Sequence, residues 1–268
     1  MKVSIITATY NSAATLSQTL DSILSQTYPD YEVVVIDGNS KDATMDIVKS
    51  YSEQFGKKLR YISEPDKGLY DAMNKGIRMS TGDVVGILNS DDFYSSPYVL
   101  QQLVEALQQP DVDAVYGDVY YVSQNDTSKI LRHYSSRPFR PWLMRLGFMP
   151  AHPSFYCKRE LYLRYGLFDL SYKVAADFEQ LLRLIFVHRI RTTYLPLNVV
   201  TMRAGGVSNS GWRSHVAIMR DHLRALRTNQ VRSNFFLLSL RYGYKVGEVV
   251  RTRSLNALRI FQRNKGKA

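Results

Sequence analysis

Cysteine is nearly absent from this chain. Its 268 residues include one, Cys157, so no internal disulfide framework can form and a reducing compartment is expected. Long apolar runs are missing too. FFLLSL, residues 235–240, is the most apolar stretch near the C-terminus, far short of the roughly 18 uninterrupted apolar residues of a membrane-crossing helix. The opening MKVSIITATYNS turns polar after seven residues, unlike a secretion signal. No internal repeat or low-complexity segment is present. Acids are scarce in one place only. Residues 212–268 hold two of them against 13 Lys and Arg, whereas residues 1–211 hold 22 of each sign. The tail therefore carries the whole formal charge of +11. A neutral body with a basic tail implies an anionic surface as partner of the tail alone. A nucleic-acid-binding body should carry a basic stripe, so no nucleic-acid partner is expected despite a pI near 9.6.

What remains is ordinary globular composition, 45% hydrophobic and 22% charged, in a length that suits one large domain or one domain with an appendage. Lys2 to Thr9 and Glu32 to Ile36 read as buried strands. Leu16, Leu20, Ile23 and Leu24 fall at helical spacing between them, and Tyr28-Pro29-Asp30 ends that helix. A further helix and strand cover 43–63, and another pair covers 70–88, ending in the strand VVGIL. Uniformly apolar strands alternating with helices predict an α/β fold with a mainly parallel sheet covered on both faces. Beyond residue 110 the pattern loosens. Strands are expected near 113–122 and 192–202, irregular chain at 135–153, a helical stripe at Phe178, Leu181, Leu182 and Ile185, and helices from Trp212 on.

In parallel sheets ligands bind at the carboxyl ends of strands. Three such ends carry polar residues: Thr7 to Asn11, Asp37 to Ser40 and Asn89 to Asp92. Asp91-Asp92 either caps a helix or holds a divalent cation, since hard cations take carboxylate oxygens and leave positions for phosphate. Two adjacent carboxylates after an apolar strand need a positive partner in either case. Asp37, in IDGNSKDAT, fits an Asx turn or a carboxylate that accepts from a base N–H or ribose hydroxyls. Asp177, in KVAADFEQLLRL, fits an N-cap or a general base with room beside it left by Ala175 and Ala176. His152, in MPAHPSFY, is a structural histidine or a ligand contact. The stretch from Glu64 to Asp71 opens a helix with three acids and one lysine, which the helix dipole alone would favour. Gly205-Gly206-Val207-Ser208 is an ordinary glycine turn or a loop whose backbone approaches a phosphate.

VSIITATYNSAATLSQTLDSILSQTYPDYEVVVIDGNSKDAT resembles the N-terminal half of a family 2 glycosyltransferase with the GT-A fold. EPDKGLYDAMNKGI, GILNSDDFY, HPSFYCKRELYLRYGLFD and VAADFEQLLRL resemble later segments of that family, in order, over about residues 1–210. The nearest subgroup is bacterial enzymes of exopolysaccharide, colanic-acid or O-antigen assembly. The resemblance implies a catalytic domain at 1–211, with a nucleotide-binding half (1–110) and an acceptor half (111–211), and a basic helical extension at 212–268. It implies transfer of one sugar, with inversion, from a nucleotide-diphosphate donor to a saccharide acceptor linked to polyprenyl diphosphate. Thr7, Ala8, Tyr10 and Asp37 would line the nucleoside pocket, bordered by Asp66, Lys67 and Asp71. The family's acidic motif falls on Asn89-Ser90-Asp91-Asp92, where Asn89 stands in place of the usual first Asp. That assigns Mn²⁺ or Mg²⁺ to Asp91 and Asp92 and leaves Asn89 and Asp91 to the donor. Asp177 would be the base, and His152, Gly206 and Ser208 are candidate acceptor or diphosphate contacts. The Gln-x-x-Arg-Trp motif of processive synthases is absent, which favours single additions. The alternative is a nucleotide-sugar-binding module without turnover, which would not need a base. The expected location is the bacterial cytoplasm, peripheral on the inner face of the cytoplasmic membrane.

Overall fold

The apolar strands form as their composition dictates. The computed structural model describes residues 1–204 and 211–241. In it β1 (Val3–Thr9) is buried at every position, as is β2 (Tyr31–Asp37). Alternate residues face opposite ways: Ile6, Ala8, Val34 and Ile36 enter one core, and Val3, Ile5, Val33 and Val35 the other. Helix α1 (Leu16–Leu24) joins these strands and buries Leu16, Thr19, Leu20 and Ile23. After β2 come α2 (Thr44–Ser50), the single turn α3 (Ser52–Phe55), β3 (Leu59–Ser63), α4 (Leu69–Met79) and β4 (Val84–Ile87). A two-residue β5 (Phe93–Tyr94) leads into α5 (Val99–Leu107). The second half supplies β6 (Ala114–Val122), β7 (Ile130–Tyr134), β8 (Tyr156–Lys158), α6 (Arg159–Tyr165), α7 (Ala176–Leu181), β9 (Thr192–Arg203) and α8 (Gly211–Thr228).

One sheet runs β3-β2-β1-β4-β8-β6-β9-β5, with β7 paired to β6. Strands β3, β2, β1 and β4 are parallel. The short β8 lies antiparallel between β4 and β6, and it returns β6 and its parallel neighbour β9 to the direction of β1. Strands β5 and β7 are also reversed. This is the curled, mixed α/β sheet with helices on both faces expected of a GT-A fold. The helical stripe at 178–185 is α7 continued by a π-helical turn, Leu182–Val187.

The described part of the C-terminal extension is joined to this body. Asp221 of α8 accepts the N–H groups of Val174 and Ala175 at 3.2 and 3.4 Å, which lead into α7. Leu226 and Leu238 are buried in the same core as Phe178.

A buried carboxylate ties the sheet's amino end together. Glu32, in β2, accepts from the Ser4 hydroxyl (2.7 Å), Lys2 (3.0 Å), the Thr81 N–H (2.6 Å) and the Thr81 hydroxyl (2.8 Å). Burial pushes its pKa up, but these donors outweigh burial and hold it down to about 2. Because the folded value lies below the ordinary one, this contribution is complete above about pH 4.5 and is lost as pH falls toward 2. Glu32→Gln should cost about 2 kcal/mol at neutral pH, the order of hydrogen bonds to a charged group. It should also flatten the acid limb of the unfolding curve, as read by denaturant midpoints from pH 7 down to pH 3. An unchanged acid limb would place the acid sensitivity elsewhere.

Candidate active site

The polar ends of β1 and β2 are stitched to each other. Asn11 takes a positive φ of 49°. Its side-chain oxygen accepts the Lys41 N–H at 2.8 Å, and its own N–H reaches the Ser40 hydroxyl at 2.8 Å. Asp37 is fully buried. It accepts the Ser40 N–H at 3.0 Å, the Ser63 hydroxyl at 2.6 Å and the Ser40 hydroxyl. Its carboxylate thus organises its own loop, reaching the N–H three residues on instead of the two of an Asx turn. Gly38 follows, where chain and neighbours crowd. A methyl there would sit 2.8 Å from Asp66 Oδ2 and 3.3 Å from the Tyr10 ring. Tyr10, Gly38 and Asp66 therefore converge, with Tyr10 62% exposed beside them. Thr7 and Ala8 are buried in β1 beneath, and the Thr7 hydroxyl has no hydrogen-bond partner. Asp66 also accepts the Gly68 N–H at 2.8 Å, and Asp71 the Lys67 N–H at 3.0 Å, so both carboxylates shape the entry to α4.

At the end of β4 the paired carboxylates cap nothing. The next helix is α5, whose N-cap is Tyr98. Asp92 is 2% exposed and its Oδ2 is buried without a hydrogen-bond partner, as is Asn89 Oδ1. Burial pushes the Asp92 carboxyl well up, and the neighbouring Asp91 charge adds to this. Burial raises Asp91 as well, opposed in part by Arg203. Arg203, the last residue of β9, is the positive partner. It donates to the Asp91 main-chain carbonyl at 2.5 Å and to the Gln18 side chain, and lies over the Phe93 ring at 5.5 Å. Among the described residues no three His, Cys, Asp or Glu side chains converge on one point. Even so, the donor set fits a hard divalent cation. An orphaned buried carboxylate oxygen and an adjacent carboxylate are what such an ion takes from a protein when phosphate and water fill its other positions.

A cavity of about 510 Å³ opens beside this strand end, and Asn89, Tyr70, His152, Asp177, His222 and Arg241 are among its lining residues. Asp177 sits in the first turn of α7, but the N-cap position is Ala175. Its Oδ1 accepts the Phe178 N–H at 2.8 Å and faces the Tyr70 hydroxyl at 3.3 Å; that hydroxyl also donates to the Val174 carbonyl at 2.5 Å. Burial pushes the Asp177 carboxyl up, and His152 opposes this. His152 is 8% exposed with its ring edge-on to Phe168. Burial pushes it down, and Asp177 opposes this. The two groups therefore act on one another in one cavity.

The structure brings Asn89, His152 and Asp177 to a single cavity and gathers Tyr10 and Asp66 at Gly38. Gly206 and Ser208 lie outside the described residues. Sequence reasoning missed three residues. Arg203 was visible only as the Arg in TMRAGG, read for its glycines. His222 and Arg241 reach the cavity from the extension. The His222 ring stacks on Phe178 at 3.8 Å, and Arg241 Nη1 lies 2.7 Å from His222 Nδ1.

The sequence pattern of Glycosyl transferase family 2 matches residues 4–166. A "PGL/p-HBAD biosynthesis glycosyltransferase" of Mycobacterium tuberculosis (strain ATCC 25177 / H37Ra) is 32% identical over 209 residues, covering 77% of this chain and 79% of that one. The crystal structure of S. aureus TarS 1-349 superposes with a TM-score of 0.63 at 19% identity, covering 84% of this chain and 65% of that one. This chain thus spans just under two thirds of that segment, which has also been solved with UDP-GlcNAc. The mannosyltransferase PcManGT from Pyrobaculum calidifontis, in complex with GDP-Man and Mn²⁺, gives a TM-score of 0.63 at 22% identity, covering 96% of this chain and 75% of that one.

Proposed function

Since the chain belongs to Glycosyl transferase family 2 and is a glycosyltransferase of the GT-A fold, we propose that it moves one sugar, with inversion, from a nucleotide-diphosphate donor to a saccharide acceptor. The observation that carries this reading is Asp177, a carboxylate held on one oxygen in a cavity that Asn89 also lines, next to the paired carboxylates after β4.

The donor nucleoside would lie against Tyr10, Gly38 and Asp66, with Asp37 fixing the loop under it. Asp91 and Asp92 would hold Mn²⁺ or Mg²⁺, which when bound offsets charge on the departing diphosphate. Arg203 keeps the strand end in place through the Asp91 carbonyl. Asp177 takes the proton from the acceptor hydroxyl as that oxygen attacks the far face of the sugar. The Phe178 N–H and the Tyr70 hydroxyl aim its carboxylate. Burial raises its basicity, which suits a general base. One displacement gives one inversion, with no nucleophilic Ser or Cys required. The acceptor is a saccharide linked to polyprenyl diphosphate, in bacterial surface polysaccharide synthesis. The basic tail holds the enzyme on the inner face of the cytoplasmic membrane. No helix of the described residues is long and apolar enough to cross a membrane.

A panel of UDP-, GDP- and dTDP-sugars tests the donor reading by thermal stabilisation and slow hydrolysis. At a concentration of about 100 times Kd a bound donor adds about 2.7 kcal/mol to stability. One donor class should both stabilise the protein and be turned over. Stabilisation without turnover of any donor, with or without added saccharides, would instead fit a binding module.

A further inference from the structure

A short helical segment near the end of the described chain is apolar on the wrong side. Residues 235–241 are helical, and the Asn234 side chain caps them by accepting the Leu237 N–H at 2.9 Å. Leu238 and Arg241 face the body, at 0% and 3% exposure. The outward positions hold Phe235, Phe236 and Leu240, exposed by 65%, 71% and 49%. A helical face that meets only water carries polar residues. This one carries two phenylalanines.

The segment is stitched to a second exposed aromatic. Arg145 Nε donates to the Arg232 carbonyl at 2.9 Å, and the Ser233 hydroxyl donates to the Arg145 carbonyl at 2.5 Å. Arg241 Nη1 reaches the Gly147 carbonyl at 3.3 Å. The 3₁₀ turn Pro141–Leu146 therefore lies alongside residues 232–241, and Trp142 on it is 59% exposed. Around these aromatics stand the exposed Arg137, Arg140, Arg145 and Arg232. The sequence supplies no acid between Asp126 and Glu160, and none between Asp221 and Glu248. Exposed aromatics and arginines on two segments that carry no acid of their own do not suit a water-facing surface. They suit an anionic bilayer interface, where Trp and Phe insert at headgroup depth and arginines meet phosphates. The patch also adjoins the cavity that holds Asp177, because Gly147, Phe148 and Arg241 line that cavity.

We propose that Trp142, Phe235 and Phe236, with the arginines around them, form a face of the folded body that docks on anionic lipid and sets the cavity mouth at the membrane surface. This rests on the membrane reading above and extends attachment from the basic tail, residues 212–268, to Trp142 and the arginines at 137–145 of the body.

The test is sedimentation of the full chain with vesicles of phosphatidylcholine alone or mixed with phosphatidylglycerol, at low and high salt. The variants are Trp142→Ser/Phe235→Ser/Phe236→Ser, Arg137→Gln/Arg232→Gln and a chain ending at Arg241. Melting temperature and donor hydrolysis serve as fold controls, and size-exclusion chromatography reports the oligomeric state. The triple variant should lose about tenfold or more of its partition into the mixed vesicles, the order expected when inserted apolar side chains are removed. Its donor hydrolysis should be unchanged. The arginine variant should lose most at low salt. The chain ending at Arg241 should keep a partition that still depends on the three aromatics. Wild-type partition by the triple variant would overturn the proposal. So would loss of all binding on removing 242–268 alone, which would leave that last stretch as the sole anchor. A wild-type dimer that the triple variant converts to monomer would mark the face as a self-interface and overturn it as well.

Discussion

Replacing Asp177 by Asn should lower sugar transfer by about 10²–10⁴-fold, the range for loss of a general base, while donor affinity changes little. Asn keeps the side-chain oxygen that accepts the Phe178 N–H and faces Tyr70, so the local geometry is preserved. What it loses is the ability to take a proton. The pH profile of the wild type carries the same signature. Burial raises the Asp177 pKa above its usual 3.8, with His152 opposing. The base is active only when ionised, so turnover should climb as pH rises through that elevated value and level off above it. The acidic limb should therefore be shifted upward from that of a free aspartate and be absent from the residual activity of Asp177→Asn. Collapse of donor binding in the variant would make Asp177 a pocket residue instead.

Asp92→Asn should abolish most metal-supported turnover, and Asp91→Asn should do likewise. Chelator should do the same to the wild type, with recovery on adding Mn²⁺ or Mg²⁺. Two physical terms pull in opposite directions here. Asp92 is buried with an unpartnered oxygen next to another carboxylate, an arrangement that costs the metal-free fold several kcal/mol in principle. Asn removes the charge and much of that cost. Metal-free Asp92→Asn should thus melt no earlier than metal-free wild type, yet gain nothing from Mn²⁺, whereas the wild type should gain stability as the ion binds. This second readout needs no substrate. Full turnover in chelator, or equal stabilisation of both proteins by Mn²⁺, would count against the assignment.

Strands β1, β2 and β4 were legible because each is built on an apolar run and is buried throughout, and strand ends announced where polar chemistry would gather; β3, LRYIS, is mixed and only half-buried. The short strands were not. Strand β5 has two residues and β8 three, too few for any period, and each exists because a longer strand offers it an edge. Helix α5 carries Val99, Leu100, Leu103, Val104 and Leu107 at helical spacing; the signal was there and went unread. Arg203 is a different case, since it meets Asp91 across 112 positions of sequence. Nothing local marks that contact. The same holds for His222 and Arg241, which belong to a segment whose helical spacing and basic charge do not mark the contact with Phe178 and Gly147. Their burial also moves the useful truncation point. A cut before residue 232 removes Leu238 from the core, so loss of function would report unfolding; a cut after Arg241 spares it.

Single displacement at the Asp177 cavity can be tested before any acceptor is known. Water is a slow substitute acceptor, and NMR can read the anomer of the released sugar before it equilibrates. The first-formed sugar should have the configuration opposite to that in the donor, and Asp177→Asn should slow its release. A first-formed sugar that retains the donor's configuration would contradict single displacement.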